Sequence, residues 1–350
     1  MDAELELLRD LCMTPGVPGA EDRVRSLIEA RATGFFDSKV MDPFGNLILT
    51  RHSRTAASEV TRVLLLCHMD EIGFMVSHVD QQGFIFVQPT GGFDPRTLFG
   101  RRVLVCTENG DFKGVMNPIG KPLHTSSLKD REKVPEIGDF FVDVGMGPKA
   151  KEVISIGDYV VMDEPFIELE DKCISKALDN RVACWLGLEV LRLLANDAEG
   201  HACELSVAFT VQEEVGVRGA KTAAFLVRPH YAIGVDTTLS CDLPGVTPKD
   251  YITTQGDGFG LHLKDNSMIA DRSFARLIES IAKDNSIPFQ RTMLPAGGQD
   301  GSAAQQSAGG AKTASVVVGT RYIHTVTEMV DKVDLFAARK ILVEIAKSIG

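Results

Sequence analysis

Apolar positions change their spacing several times along the chain, and each change marks an element. Leu5, Leu8 and Cys12 recur at helical intervals, and Val24, Leu27 and Ile28 do so again after the turn Pro15-Gly16-Val17-Pro18-Gly19, so two short amphipathic helices open the chain. Val40-Met41 and Leu47-Ile48-Leu49 flank the turn-forming Asp42-Pro43-Phe44-Gly45-Asn46, which predicts a hairpin feeding the buried strand Val63 to Cys67. From about residue 73 to 163 the texture is different. Short β-rich pieces (Phe84 to Val87, Val103 to Val105, Phe140 to Val142, Tyr159 to Val161) alternate with glycine turns, and no long helical period occurs, as in a small all-β domain.

Beyond it strand and helix alternate: helix Arg181 to Leu194, strand Leu205 to Val211, helix Ala220 to Leu226, strand Tyr231 to Val235, helix Ser273 to Ala282, strand Ala314 to Val318 and helix Asp334 to Ile349. Such alternation predicts a mixed or parallel sheet covered on both faces. The strands before residue 70 lack helices of their own to cover them. Residues 1–72 and 164–350 are therefore expected to form one α/β domain, interrupted by a β insert at 73–163.

The formal charge of −11 over 350 residues opposes phosphate backbones and anionic lipid, so nucleic acid and membrane surfaces are not expected as partners. The acidic start Met1-Asp2-Ala3-Glu4-Leu5-Glu6 carries no secretory pattern, and the apolar run Val63 to Cys67 stops after five residues. The expectation is a soluble, cytoplasmic chain. Its seven cysteines are scattered singly without a CxxC pair, which suits reduced, buried apolar residues better than disulfides or a zinc finger.

In open α/β sheets ligands bind beyond the carboxyl ends of strands, so polar residues just after apolar runs are the ones to collect. Val63 to Cys67 ends in His68-Met69-Asp70-Glu71, Asp179-Asn180-Arg181 precedes a helix, Leu205 to Val211 ends in Gln212-Glu213-Glu214, Tyr231 to Val235 ends in Asp236, and His324 follows Ala314 to Val318. Two histidines and several carboxylates are the donor set expected for divalent zinc, cobalt or manganese. An aspartate can bridge two such ions, and one carboxylate must stay off the metal to take a proton from water. Taken singly each residue has a plainer reading, Asp179 as a helix N-cap for one. Five separate strand ends, each with a ligand-type side chain, are harder to explain that way. No GxSxG elbow is present, and Gly256 to Gly260 lacks dinucleotide-site spacing. His78, His124, His201, His230 and His262 stand in no ligand-type context.

The segments His68 to Phe74, Gly91 to Pro95, Ala177 to Arg181, Gln212 to Gly216, Arg218-Gly219-Ala220 and Arg321 to His324 closely resemble, in order over nearly the whole chain, those of the two-metal tetrahedral (TET) aminopeptidases, which include glutamyl and deblocking aminopeptidases. The resemblance implies a zinc-peptidase-like α/β domain, with a β-barrel-like or PDZ-like insert used in homo-oligomer contacts and dodecamers of tetrahedral shape. It implies that His68 and Asp236 hold one metal, that Glu214 and His324 hold the other, and that Asp179 bridges them. Glu213 would be the general base. Asp70 would hydrogen-bond the far nitrogen of His68 and fix its tautomer. Two divalent ions per subunit follow, zinc or cobalt before manganese, with short peptides as substrates cut after their first residue.

Two departures from the family pattern, Gln299 before Asp300 and Thr325-Val326 after His324, fall where the substrate pocket is expected. Both are neutral, so neutral or apolar N-terminal residues are expected in preference to glutamate. Phe140-Phe141-Val142 is expected to be partly exposed and to mark subunit contacts. Three alternatives stay beside the aminopeptidase reading: an amino-acid deacylase of the wider clan, a glycosidase using two carboxylates, and a scaffold that kept the fold without turnover.

Overall fold

The structure is a computed structural model that describes residues 3–54, 60–121, 123–127, 134–197 and 200–350. Helices α1 (Glu6–Met13) and α2 (Asp22–Ala32) lead into strands β1 (Ser38–Met41), β2 (Leu47–Arg51) and β3 (Arg62–His68). Then come β4 (Gly73–Val79), β5 (Ile85–Thr90), β6 (Arg101–Thr107), β7 (Gly110–Pro118), β8 (Phe140–Asp143), the single turn α3 (Ala150–Val153) and β9 (Tyr159–Met162). The chain continues through β10 (Ile167–Glu168), β11 (Lys172–Ser175), α4 (Leu178–Ala195), β12 (Glu204–Thr210), α5 (Arg218–Val227) and β13 (Tyr231–Leu239). It ends with β14 (Phe259–Lys264), α6 (Arg272–Asp284), β15 (Phe289–Met293), α7 (Asp300–Gln306), β16 (Lys312–Arg321), β17 (Glu328–Asp331) and α8 (Lys332–Ser348).

Among the described residues, eleven strands form one mixed sheet, β1-β2-β12-β3-β13-β16-β17-β11-β10, with β14 and β15 branching from β16. Its centre is parallel, because β12 and β13 flank β3 and β16 flanks β13, all in one direction. The predicted hairpin β1-β2 forms, but β2 pairs with β12 rather than with β3. Burial follows the strand period of two. Val63, Leu65 and Cys67 belong to a core shared with α1, α2, α4, α6 and α8, whereas Leu64 and Leu66 face alanines of α5 and α7. A strand buried on both faces reads as an unbroken apolar run, which is why β3 was legible.

Strands β4-β5-β8-β7-β6-β9 close a six-stranded barrel, and its core holds Phe74, Val76, Ile85, Val103, Val105, Met116, Phe140, Val142 and Val160. Phe140 and Val142 are therefore inside the barrel, and Phe141 packs edge-on against Phe84, contrary to the expectation that this segment is an exposed patch. The alternation that seemed spare on the chain is consumed by barrel closure. Strand β7 escaped the sequence pattern because glycines and charges interrupt its alternation, and β4 because a register shift between Val76 and His78 breaks its period of two. No described helix is long and apolar enough to cross a membrane.

The turn at Asp42 has a structural task that reaches across the sheet. Asp42 Oδ1 accepts the amides of Phe44, Gly45 and Asn46 at 3.0, 2.9 and 2.9 Å. Asn46 then accepts from Val211 N (3.0 Å) and donates to Gly219 O (2.9 Å), bracing the 211–219 segment that joins β12 to α5. A Cβ on Gly219 would collide with Asn46 Oδ1 and stand 2.5 Å from Val211 O. Backbone cannot give way as a flexible side chain can. Gly219→Ala is thus expected to cost about 1–3 kcal/mol, the usual range for overpacking, read as a lower urea midpoint. An unchanged midpoint would show that this junction is looser than its geometry.

Candidate metal centre

Because β3, β12, β13 and β16 run parallel, their carboxyl ends lie along one edge of the sheet, and the ligand-type residues gather there. His68 is the last residue of β3, Glu213 and Glu214 follow β12, and His324 follows β16. Asp236 departs from the expectation, since it lies inside β13, which continues to Leu239 through pairing with β16. Asp179 enters from the opposite chain direction, at the start of α4.

That start is irregular. Asp179 and Asn180 have non-helical dihedrals, and the peptide between them is cis. Asn180 Oδ1 accepts Ala183 N at 3.1 Å and its Nδ2 donates to Val235 O at 2.9 Å, so Asn180 caps the regular helix and ties it to β13. Asp179 is left to face the site, not to cap.

Two groups of three donors result. Ligand atoms of His68, Asp179 and Asp236 lie within 4.8 Å of one another, and so do those of Asp179, Glu214 and His324. His68 Nε2 is 3.3 Å from Asp179 Oδ1 and 3.8 Å from Asp236 Oδ1. His324 Nε2 is 3.6 Å from Asp179 Oδ2 and 3.4 Å from Glu214 Oε2. Donors held about 2.0–2.1 Å from a tetrahedral ion stand roughly 3.3–3.4 Å apart, so both groups fit a divalent ion with little adjustment. Asp179 turns one oxygen to each group. Glu213 lines the same cavity but belongs to neither.

The support behind these side chains differs from what was expected for Asp70. His68 Nδ1 is 3.1 Å from the Asp70 main-chain carbonyl, while the nearer carboxylate oxygen is at 3.6 Å. The carbonyl is the closer partner, so it is the carbonyl that fixes the ring. The Asp70 carboxylate instead accepts the amides of Glu213 and Glu214, both at 3.0 Å.

The cavity over the two groups has a volume of about 580 Å³. Asp179, Glu213, Glu214, Asp236 and Asp265 line it with His68, His262 and His324, and no lysine or arginine does. Burial pushes the carboxyls of Glu213, Glu214 and Asp236 above their ordinary values. Burial would lower His324, but its bond to Glu214 raises it to about 9, and His68 likewise rises on Asp179, Asp236 and Asp70 despite burial. Acids crowded together away from water hold protons reluctantly shed, and dications reverse that balance. Their chemistry and spacing together suit two bound ions.

Gln299 does line the cavity, but its amide is spent inside the protein, with Oε1 accepting Gly301 N at 3.1 Å and Nε2 donating to Ser315 Oγ. Thr325 lies outside that cavity, with its hydroxyl donating to Tyr322 O at 2.7 Å. His262 was passed over and does reach the cavity wall, between Thr292 Oγ1 at 2.9 Å and Asp265 Oδ2 at 3.4 Å. The pattern His262-x-x-Asp265 at the end of an apolar strand was the available signal. His78, His124, His201 and His230 line no part of it.

Other supporting residues lie in or beside the quoted segments but had no role assigned from the sequence. Asp300 is buried, accepts from Thr210 Oγ1 and is pushed by burial to about 7. Glu71 is buried between Lys176 Nζ (2.7 Å) and Arg181 (3.4 Å), and Arg181 also donates to the carbonyls of Leu11 and Thr14 at 2.5 and 2.7 Å. This network ties the end of α1 to the floor of the site. Glu328 accepts the amides of Asp179 and His324.

Known proteins resemble this chain over nearly its whole length. A sequence profile described as M42 glutamyl aminopeptidase matches residues 45–341. The lysyl aminopeptidase of Pyrococcus furiosus is 30% identical over 339 residues, covering 94% of this chain and 93% of that one. The crystal structure of a TET aminopeptidase from a marine-sediment thaumarchaeon superposes with a TM-score of 0.94 at 29% identity, covering 99% of this chain and 97% of the other. The Pyrococcus horikoshii TET1 peptidase, which can assemble into a tetrahedron or a large octahedral shell, gives a TM-score of 0.86 at 30% identity, with 99% and 100% covered.

Proposed function

The chain belongs to the M42 glutamyl aminopeptidase family, and on that premise we propose that it is a metal-dependent aminopeptidase that uses two divalent ions to release N-terminal residues from short peptides. The observation that carries the reading is the pair of three-donor groups sharing Asp179 at the floor of one acidic cavity. His68, Asp179 and Asp236 would hold one ion and Asp179, Glu214 and His324 the other, with zinc or cobalt suited to the two imidazoles and manganese to the carboxylates. When bound, such ions polarise a carbonyl and acidify water.

The rest is done by the chain's own groups. The cavity's carboxylates draw in the protonated amine of a peptide N-terminus. Glu213, outside both donor groups, takes the proton of the attacking water and passes it to the departing amine nitrogen. Asp70 holds Glu213 and Glu214 by their backbone amides, so base and ligand keep a constant separation. The deacylase, glycosidase and scaffold alternatives are not favoured, since the family and its aminopeptidase relatives match over almost the entire chain.

The walls of the cavity bear on preference. Leu239, Leu294, Pro295, Ala296, Val317 and Ile323 offer apolar surface, Asp265 adds negative charge, and no lysine or arginine stands among the lining residues to receive a glutamate side chain. Residues 73–163 are proposed as the unit of subunit contact, supported by the exposure of Phe99, Ile119 and Ile156 on the barrel. A cytoplasmic enzyme of this kind would be kept from folded proteins by enclosure of its sites.

Three outcomes are expected. Strong chelation abolishes activity and a transition metal restores it, and Glu213→Gln keeps both ions while losing on the order of 10²–10⁴-fold in kcat, whereas Asp179→Ala loses metal by elemental analysis. Activity of metal-free protein, or equal metal loss in both variants, would refute the division of roles. On a panel of aminoacyl substrates, leucyl and alanyl compounds exceed glutamyl in kcat/KM by on the order of tenfold or more, because a carboxylate facing Asp265 is repelled; a glutamyl optimum would overturn this. Light scattering should find a homo-oligomer at micromolar concentration, and a fully active monomer would dismiss the assembly proposal.

A further inference from the structure

The ligands of the two donor groups are not held alike. His68 ends β3 and Asp236 lies within β13, so the hydrogen-bond ladder of the sheet holds their backbones. Asp179 and His324 have no such ladder. Asp179 sits in the irregular first turn of α4, and His324 occupies the left-handed region at φ 63°, two residues after Tyr322 at φ 60°. For residues other than glycine such backbone persists only where the surroundings impose it.

Glu328 supplies that constraint. It is the first residue of β17, paired there with Ser175 of β11, and is only 2% exposed. Its Oε2 accepts the amide of Asp179 at 3.0 Å and its Oε1 accepts the amide of His324 at 2.8 Å. One carboxylate thus spans two backbone segments that are 145 residues apart in sequence (324 − 179) and whose side chains point into the same donor group. Glu214, the remaining member of that group, is held through its amide by Asp70. Only an acceptor with two free oxygens can take two amides in this way, since an amide side chain would present a donor to one of them.

We infer that Glu328 is a positioning residue for the Asp179–Glu214–His324 group, setting the spacing of two ligands without touching the ion itself. The inference rests on the reading of that group as a metal site. Glu328→Gln loses one of the two amide acceptors and places a donor against the other. The consequence should be selective. The group containing His68 and Asp236 keeps two strand-held ligands, whereas the group containing His324 loses the alignment of two of its three.

The test is titration of metal-free protein with cobalt(II), followed by calorimetry and by the visible absorption of bound cobalt. The unaltered protein should take up two equivalents. Glu328→Gln should bind the first within about threefold of normal and the second 10–100-fold more weakly, the range seen when a residue behind a metal ligand is changed, with an altered spectrum for the second equivalent. Two equivalents bound with unchanged affinity and spectrum would overturn the role of Glu328 while leaving the two-ion reading intact, and equal weakening of both would mark a general structural role and overturn it as well. Fewer than two equivalents in the unaltered protein would instead defeat the two-ion reading. Should Glu328→Gln fail to fold, hydrogen exchange on the unaltered, metal-free protein decides: slow exchange of the Asp179 and His324 amides supports the clamp, and exchange at the rate of an open loop rejects it.

Discussion

Crowding of negative charge at one edge of the sheet is the constraint to which most of this molecule answers. Asp70, Asp236, Asp300 and Glu328 are buried, and Asp179, Glu213 and Glu214 are nearly so, in a region whose cavity has no lysine or arginine in its lining. Carboxylates removed from water are costly unless something polar or positive meets them. Two kinds of partner are on hand. Asp70 and Glu328 are met by backbone amides, which are fixed dipoles. Asp179, Glu213, Glu214 and Asp236 face the cavity and one another, which is the arrangement that favours dications.

The same constraint explains why distant parts of the chain converge on the site. Glu71, beside the acidic edge, is neutralised by Lys176 and Arg181, and Arg181 extends its guanidinium to the carbonyls that end α1. Helix α1 is therefore attached to this edge through a charge and not merely through apolar packing. On the other side, the segment from His324 to Glu328 serves three regions at once. His324 faces the donor group, Val326 inserts into the barrel core, and Glu328 begins β17. Gly92 brings the barrel's own chain close to the His324 ring, where a Cβ would lie 3.5 Å from Nδ1. Barrel and site share a wall.

The difference in support between the two donor groups follows from where strands end. His68 and Asp236 each have their backbone held by the ladder to one neighbouring strand, so their main chain needs no dedicated acceptor. Residues in turns and at helix starts need a dedicated acceptor, and two buried acids provide it. Their burial is tolerated because each makes two hydrogen bonds, in keeping with the rule that buried polar groups are rarely left unpaired.

Much of this was decided locally and could be read without coordinates. The run Val63 to Cys67 reads as a buried strand, the alternation of strand and helix after residue 178 argues for a sheet covered on both faces, and His68, Asp179, Glu213, Glu214, Asp236 and His324 stand at the ends of those runs or at the start of a helix. Such features depend on spacing within a few residues, which the chain carries in itself. Tertiary structure alone decided the rest: that the Asp70 carboxylate takes the amides of Glu213 and Glu214 while its main-chain carbonyl meets the His68 ring, that Phe140 and Val142 fill a barrel, that Gln299 spends its amide on Ser315 and Gly301, and that Glu328 joins Asp179 to His324. Each of these is a pairing across tens to hundreds of residues, chosen by which buried donor lies within hydrogen-bond reach of which acceptor once the sheet has formed. No periodicity encodes that choice, because a side chain's partner is set by the three-dimensional neighbourhood and not by its position along the chain.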